Sequence, residues 1–316
     1  MNGKIQALKP FGWAGLWLKI PSSFRLHHIE GDTQQGACTL ADDHSPRLTL
    51  AWRRATRAKF DADRFVRGTL ARAVGRRHRC EPTRFDHPVF DPLMGTGLTE
   101  EGEEHFAGFC PETRRAVRVT CHGGNTAEVG AWGSDTLIKS LIDQIPEKGQ
   151  EWAFFSLRFR SPPRFEYDGA HLQVGDMSVQ FSQPGRKRKP TLGLRFIYPA
   201  ALALSRQDLE QWLREVLEKG KDPWDRPMGR VLFHGAPVVL HPCRTPLGRG
   251  FRADARPGRR FRLPLPGRRP VSRGSWILHD DGNDRLVIVS VSTSQETVEE
   301  IFEYVLEGMV HDGQTA

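Results

Sequence analysis

The densest chemistry in the chain is a run of arginines. Arg244, Arg249, Arg252, Arg256, Arg259, Arg260, Arg262, Arg268, Arg269 and Arg273 lie between Cys243 and Ser275, with Asp254 the one acid among them. Ten cations against one acid put +9 on this Pro- and Gly-rich insert, so the rest of the chain carries −1 of the formal +8. Guanidinium forks match carboxylate and phosphate geometry. With Phe251 and Phe261 interleaved, the insert could track a nucleic-acid backbone and stack on its bases. The plainer reading is a solvated loop that docks on an acidic protein. An acidic protein partner is the leading expectation and nucleic acid the second. Arg186–Lys189 and the basic side of the first helix (Arg64, Arg67, Arg72, Arg76, Arg77) would join the insert if they share its surface.

Metal and nucleophile chemistry are thinner. His78 with Cys80, Cys110, Cys121 with His122, and His234 with His241 and Cys243 are possible ligands, but none shows the two-residue spacing of a zinc knuckle. Cys110 precedes a turn and Cys121 ends a strand, so no metal is expected. The His279-Asp280-Asp281 run places a His beside two carboxylates, but at a hairpin turn. There is no serine elbow, phosphate loop, dinucleotide fingerprint or metalloprotease motif. No catalytic residue and no cofactor are expected. An enzyme would have to assemble a coupled His and carboxylate in a closed polar pocket from scattered residues.

The elements that position these groups are used twice. Trp13 starts a stretch that matches one starting at Trp152: Leu16 falls on Phe155, Leu18 on Leu157, Ile20 on Phe159, Leu26 on Phe165, Gly36 on Gly175 and Leu40 on Val179. After a longer hairpin at Gln183–Pro190, Leu48, Leu50 and Trp52 match Leu192, Leu194 and Phe196. Further on Arg115, Val117 and Val119 fall on Arg285, Val287 and Val289. Alternating apolar residues predict strands. Helices are expected at 61–74 and 205–220, capped near Asp61 or Asp63 and at Ser205, and again at 134–145 and 294–309. Residues 78–104 read as an irregular insert, and 230–242 as a hairpin. GDTQQG and CHGGN are turn glycines. Trp13 and Trp152 are expected to pack in a core.

Each copy reads β-β-β-α, insert, β-β-α. The expectation is an α+β protein of two tandem similar domains, 1–150 and 151–316, each an antiparallel sheet flanked by helices, the second carrying the insert near 243–275. No apolar run approaches the roughly 20 residues of a membrane helix, and five cysteines in no paired pattern fit reduced thiols, so a cytoplasmic place is expected.

The phrase Leu18-x-Ile20-Pro21, then Phe24-x-Leu26, followed by a Gly-bearing hairpin, a third strand and a helix, resembles the PsbP-like family. The second copy departs from it at Arg160, where the first has Pro21. That resemblance implies an antiparallel sheet between helices and a non-enzymatic role in binding or assembly.

Overall fold

The computed structural model describes residues 7–57, 59–74, 81–99, 102–123, 134–155, 157–185, 189–205, 208–209, 211–212, 229–233, 236–241, 272–280, 284–293 and 298–311. The chain divides into two compact units, Met1–Arg164 with Val305–Ala316, and Phe165–Tyr304. The described part is α+β and mostly antiparallel sheet. None of its helices is long and apolar enough to cross a membrane.

The first unit holds two sheets. One has seven strands: β3 (Arg25–Gly31), β4 (Gln35–Ala41), β5 (Pro46–Arg54), β6 (Thr83–Phe85), β7 (Leu93–Gly95), β8 (Glu103–Cys110) and β9 (Arg115–His122), in the order β3-β4-β5-β9-β8-β7-β6. Helix α1 (Ala62–Val74) lies on one face, with Val66 and Leu70 buried against Met94, Ala107, Phe109 and Ala116. Asp61 caps it, its Oδ1 accepting from the Arg64 N–H at 2.9 Å. Two-residue alternation turns Leu48, Leu50, Val117 and Val119 to the opposite, buried face. Strands β6 and β7 correct the irregular reading of 78–104. They are three residues long, too short for a periodic signal to emerge.

The other sheet has six strands. Hairpins β1 (Leu8–Trp13) with β2 (Leu16–Pro21), and β11 (Gln150–Phe154) with β12 (Leu157–Ser161), meet through β1 and β11 at Gly12↔Ala153. Strands β10 (Ile142–Asp143) and β20 (Val310–His311) close the two edges. Trp13 and Trp152 are fully buried here, edge to face at 5.5 Å between centroids. Helix α2 (Ser134–Lys139) is shorter than expected. The Ser140 hydroxyl donates back to Leu137 O and accepts from the Lys19 N–H at 2.9 Å, so the chain leaves the helix and adds β10 to the sheet instead.

The second unit has one seven-stranded sheet: β13 (Glu166–Gln173), β14 (Asp176–Ser182), β15 (Thr191–Ile197), β16 (Gly229–Phe233), β17 (Ala236–His241), β18 (Ser272–Asp280) and β19 (Arg285–Thr293), in the order β13-β14-β15-β19-β18-β17-β16. Helix α3 (Ala200–Ala203), unforeseen in the sequence, packs with Leu209 and Trp212 on Ile277, Leu286 and Ile288. The following turn is capped at Asp208, not Ser205, through the Gln211 N–H at 2.8 Å. In helix α4 (Val298–Glu307), Phe302 stacks on Trp276 at 4.1 Å.

The ladders of the two seven-stranded sheets correspond at most positions, apart from a register shift between Leu40 and Ala41 in the first. Cys110↔Arg115 corresponds to Asp280↔Arg285, and Leu50↔Val119 to Leu194↔Val289. A bulge between Leu26 and His28 corresponds to one between Tyr167 and Gly169. The early strands, however, match two residues later than the sequence pattern indicates. Trp13 corresponds to Phe154, Leu16 to Leu157, Leu26 to Tyr167 and Leu40 to Phe181. Gly36 and Gly175 are therefore not equivalent: Gly36 lies in β4, while Gly175 is a turn residue with φ +85°.

Candidate functional site

Nine of the ten arginines singled out in the sequence, Arg244, Arg249, Arg252, Arg256, Arg259, Arg260, Arg262, Arg268 and Arg269, lie outside the described residues, as do Arg76, Arg77, His78, Cys80, His234 and Cys243. Arg273 is placed as the second residue of β18. His279 and Asp280 end β18, at the hairpin the sequence indicated, and Asp281 lies outside the described residues.

Cys121 and His122 do not share a site. As neighbours in one strand they face opposite sides. Cys121 is buried with Cys38 and Cys110. Burial pushes the Cys38 thiol up to about 12, and burial with Glu104 nearby pushes Cys121 up as well, so both stay protonated and inert. Among the described residues no group of three His, Cys, Asp or Glu is arranged to hold a metal ion.

His122 instead belongs to a hydrogen-bonded chain on the α1 face. Its Nδ1 lies 2.7 Å from Glu103 Oε1 and its Nε2 2.8 Å from Thr49 Oγ1. Glu103 Oε2 also reaches His105 Nε2 at 3.5 Å, and His105 Nδ1 meets Thr120 Oγ1 at 3.2 Å. With Nδ1 donating to Glu103, Nε2 accepts from the Thr49 hydroxyl. That tautomer gives a hydroxyl–imidazole–carboxylate order able to relay a proton. The coupled His and carboxylate thus exist, on the sheet face that α1 partly covers, with the His122 and Glu103 side chains 29% and 28% exposed. The sequence reading missed them because Thr49, Glu103 and His122 lie on three strands.

Beside this chain sit two cations. Arg53 pairs with Ala116, and Arg118 with Ala51 and Ala107, so both guanidinium stems leave the α1 face of the sheet. Both are exposed, and among the described residues neither has an ion pair. Their ladder equivalents in the second unit are Ile197 and Ile288, which pack into the core under α3. Exposed Arg64 and Arg67 stand on α1, Arg67 tied to Asp63 at 2.8 Å. Positions apolar and helix-covered in one unit are basic and exposed in the other.

Across the sheet, Arg115 is a buried hub. Its Nη1 donates to Asp143 Oδ1 and to Ala14 O, both at 2.8 Å, joining β9 to the β1–β2 turn and to β10. The Thr113 hydroxyl and the Cys110 thiol also donate to Asp143. Burial pushes the Asp143 carboxyl up, and the Arg115 charge with these donors opposes that shift. Arg285 is buried at the equivalent register. The sequence matched the two arginines as marks of a repeat and gave no sign that either is buried.

No family model matches the chain, and comparison with curated proteins and with solved structures likewise finds no match.

Proposed function

We propose that the chain is a tandem duplication of a PsbP-like module that works as a cytoplasmic binding or assembly component rather than as a catalyst, and that it engages an acidic protein partner. The duplication is supported by the common strand order and the matching ladder registers. The partner's charge is supported by one observation above others: Arg53 and Arg118 are exposed, with no ion pair among the described residues, where the other unit has covered isoleucines. Leaving two guanidinium groups exposed on a sheet face adds nothing to the core, whereas it favours association with carboxylates. The arginine insert supplies further cations to the same partner. A protein is favoured over nucleic acid because Asp61, Asp63 and Glu103 are interspersed on this side of the first unit. Mixed charge suits discrete pairs and opposes a continuous phosphate track.

The test uses fluorescence anisotropy with labelled poly-glutamate and with single-stranded DNA, at low and moderate salt. Poly-glutamate is expected to bind the parent chain in a salt-sensitive way, and less well to Arg53→Glu/Arg118→Glu and to the chain lacking 244–273. Tighter, steeply salt-dependent DNA binding would replace this reading with the nucleic-acid one.

A further inference from the structure

Elsewhere in the first unit, a cavity of about 750 Å³ opens beside the six-stranded sheet. That size falls in the range of small-molecule sites. Trp17, Val89, Pro111 and Ile142 give it apolar lining. Ile142 is 42% exposed on the edge strand β10. Trp17 Nε1, shielded from water, makes no hydrogen bond among the described residues. Lys148 and Arg160 also line the cavity. Glu151 takes Arg158 at 2.8 Å and leaves Arg160 only a 3.7 Å contact. Lys148 has no ion pair among the described residues.

The remaining acids do not cancel this charge. Asp143, in the lining, is neutralised by Arg115. Glu112 and Glu151 also line the cavity, against Lys148, Arg158 and Arg160, so one net positive charge remains. The wall is also preformed. Buried His87 holds the loop before β7, its Nδ1 accepting from the Val89 and Phe90 N–H groups at 3.2 Å each. A ligand meeting fixed walls loses less freedom on binding.

We propose that this cavity binds a small amphipathic anion: an apolar chain against Trp17, Val89 and Ile142, and a carboxylate head between Lys148 and Arg160. The proposal is independent of the acidic-partner reading. Calorimetry on the full chain tests it, with decanoate as the probe and decanol as its neutral analogue. Decanoate is expected to bind saturably, one per chain, and more tightly than decanol. Lys148→Ala/Arg160→Ala is expected to weaken decanoate by about tenfold or more while leaving decanol unchanged. Ile142→Asp, at a position 42% exposed, is expected to weaken both. The chain lacking 244–273 and Arg53→Glu/Arg118→Glu should bind decanoate as the parent does, so loss of polyanion binding does not bear on this site. No saturable decanoate binding, equal affinity for decanol, or indifference to these cavity substitutions would overturn the proposal.

Discussion

The buried pair of Arg115 and Asp143 gives the sharpest stability prediction. Their side chains are 6% and 0% exposed and meet at 2.8 Å. Removing one partner leaves an uncompensated charge out of water, which costs about 3–5 kcal/mol. Against a domain stability of roughly 5–15 kcal/mol that is a large share. Arg115→Met also releases the Ala14 carbonyl, and with it the β1–β2 turn, while Asp143→Leu orphans the Thr113 hydroxyl. Removing both partners takes away both charges and leaves only neutral polar groups unpaired, a cost of about 1–3 kcal/mol. The double variant should therefore be more stable than either single one, with a coupling energy of several kcal/mol. Urea unfolding followed by tryptophan fluorescence and circular dichroism, with slopes compared across variants, measures all three. Additive losses, or a single variant costing less than about 1 kcal/mol, would refute the reasoning.

Two further outcomes follow from local geometry. Gly68 on α1 has open space where a Cβ would go, so Gly68→Ala should stabilise by about 0.5–1 kcal/mol. A Cβ on Gly36 would stand 2.4 Å from Glu30 O and 2.5 Å from the Trp52 ring, so Gly36→Ala should destabilise by about 1–3 kcal/mol; the two unfolding midpoints check both signs. Burial lowers the His87 pKa from its ordinary value. The Ile138 backbone and the Asp86 charge oppose that shift. With the folded value below the unfolded one, the neutral ring's contribution is complete above about pH 6.5 and is lost as pH falls through the folded value. Protonation at Nδ1 would also set a donor against the Val89 and Phe90 N–H groups. Unfolding midpoints should fall more steeply on acidification in the parent than in His87→Gln, and parallel profiles would contradict this.

Two similar runs of strands were legible in the sequence, and the two seven-stranded sheets share one strand order. The register between them was not legible. Side chains in a strand alternate with period two, so a two-residue slip keeps every apolar residue on its face. Trp13 therefore aligned as well with Trp152 as with Phe154, and only the ladder and the paired turns separate them. The same alternation, read strictly, excludes Cys121 and His122 as partners from sequence alone. The His122–Glu103–Thr49 chain and the Arg115–Asp143 pair were out of reach because their members are distant in sequence and meet only when β9 is placed in its sheet. Asp143 sat inside an expected helix, and the Ser140 hydroxyl that ends the helix gives a weak sequence signal. The exposure of Arg53 and Arg118 became meaningful only beside Ile197 and Ile288.

The central claim is that the first unit presents exposed cations to an acidic protein partner. Anisotropy of labelled poly-glutamate against the parent chain and Arg53→Glu/Arg118→Glu, at low and moderate salt, tests it most directly. The account predicts salt-sensitive binding by the parent and a clear loss in the variant, with DNA bound less tightly. Equal binding of poly-glutamate by both chains, or binding by neither, would contradict it.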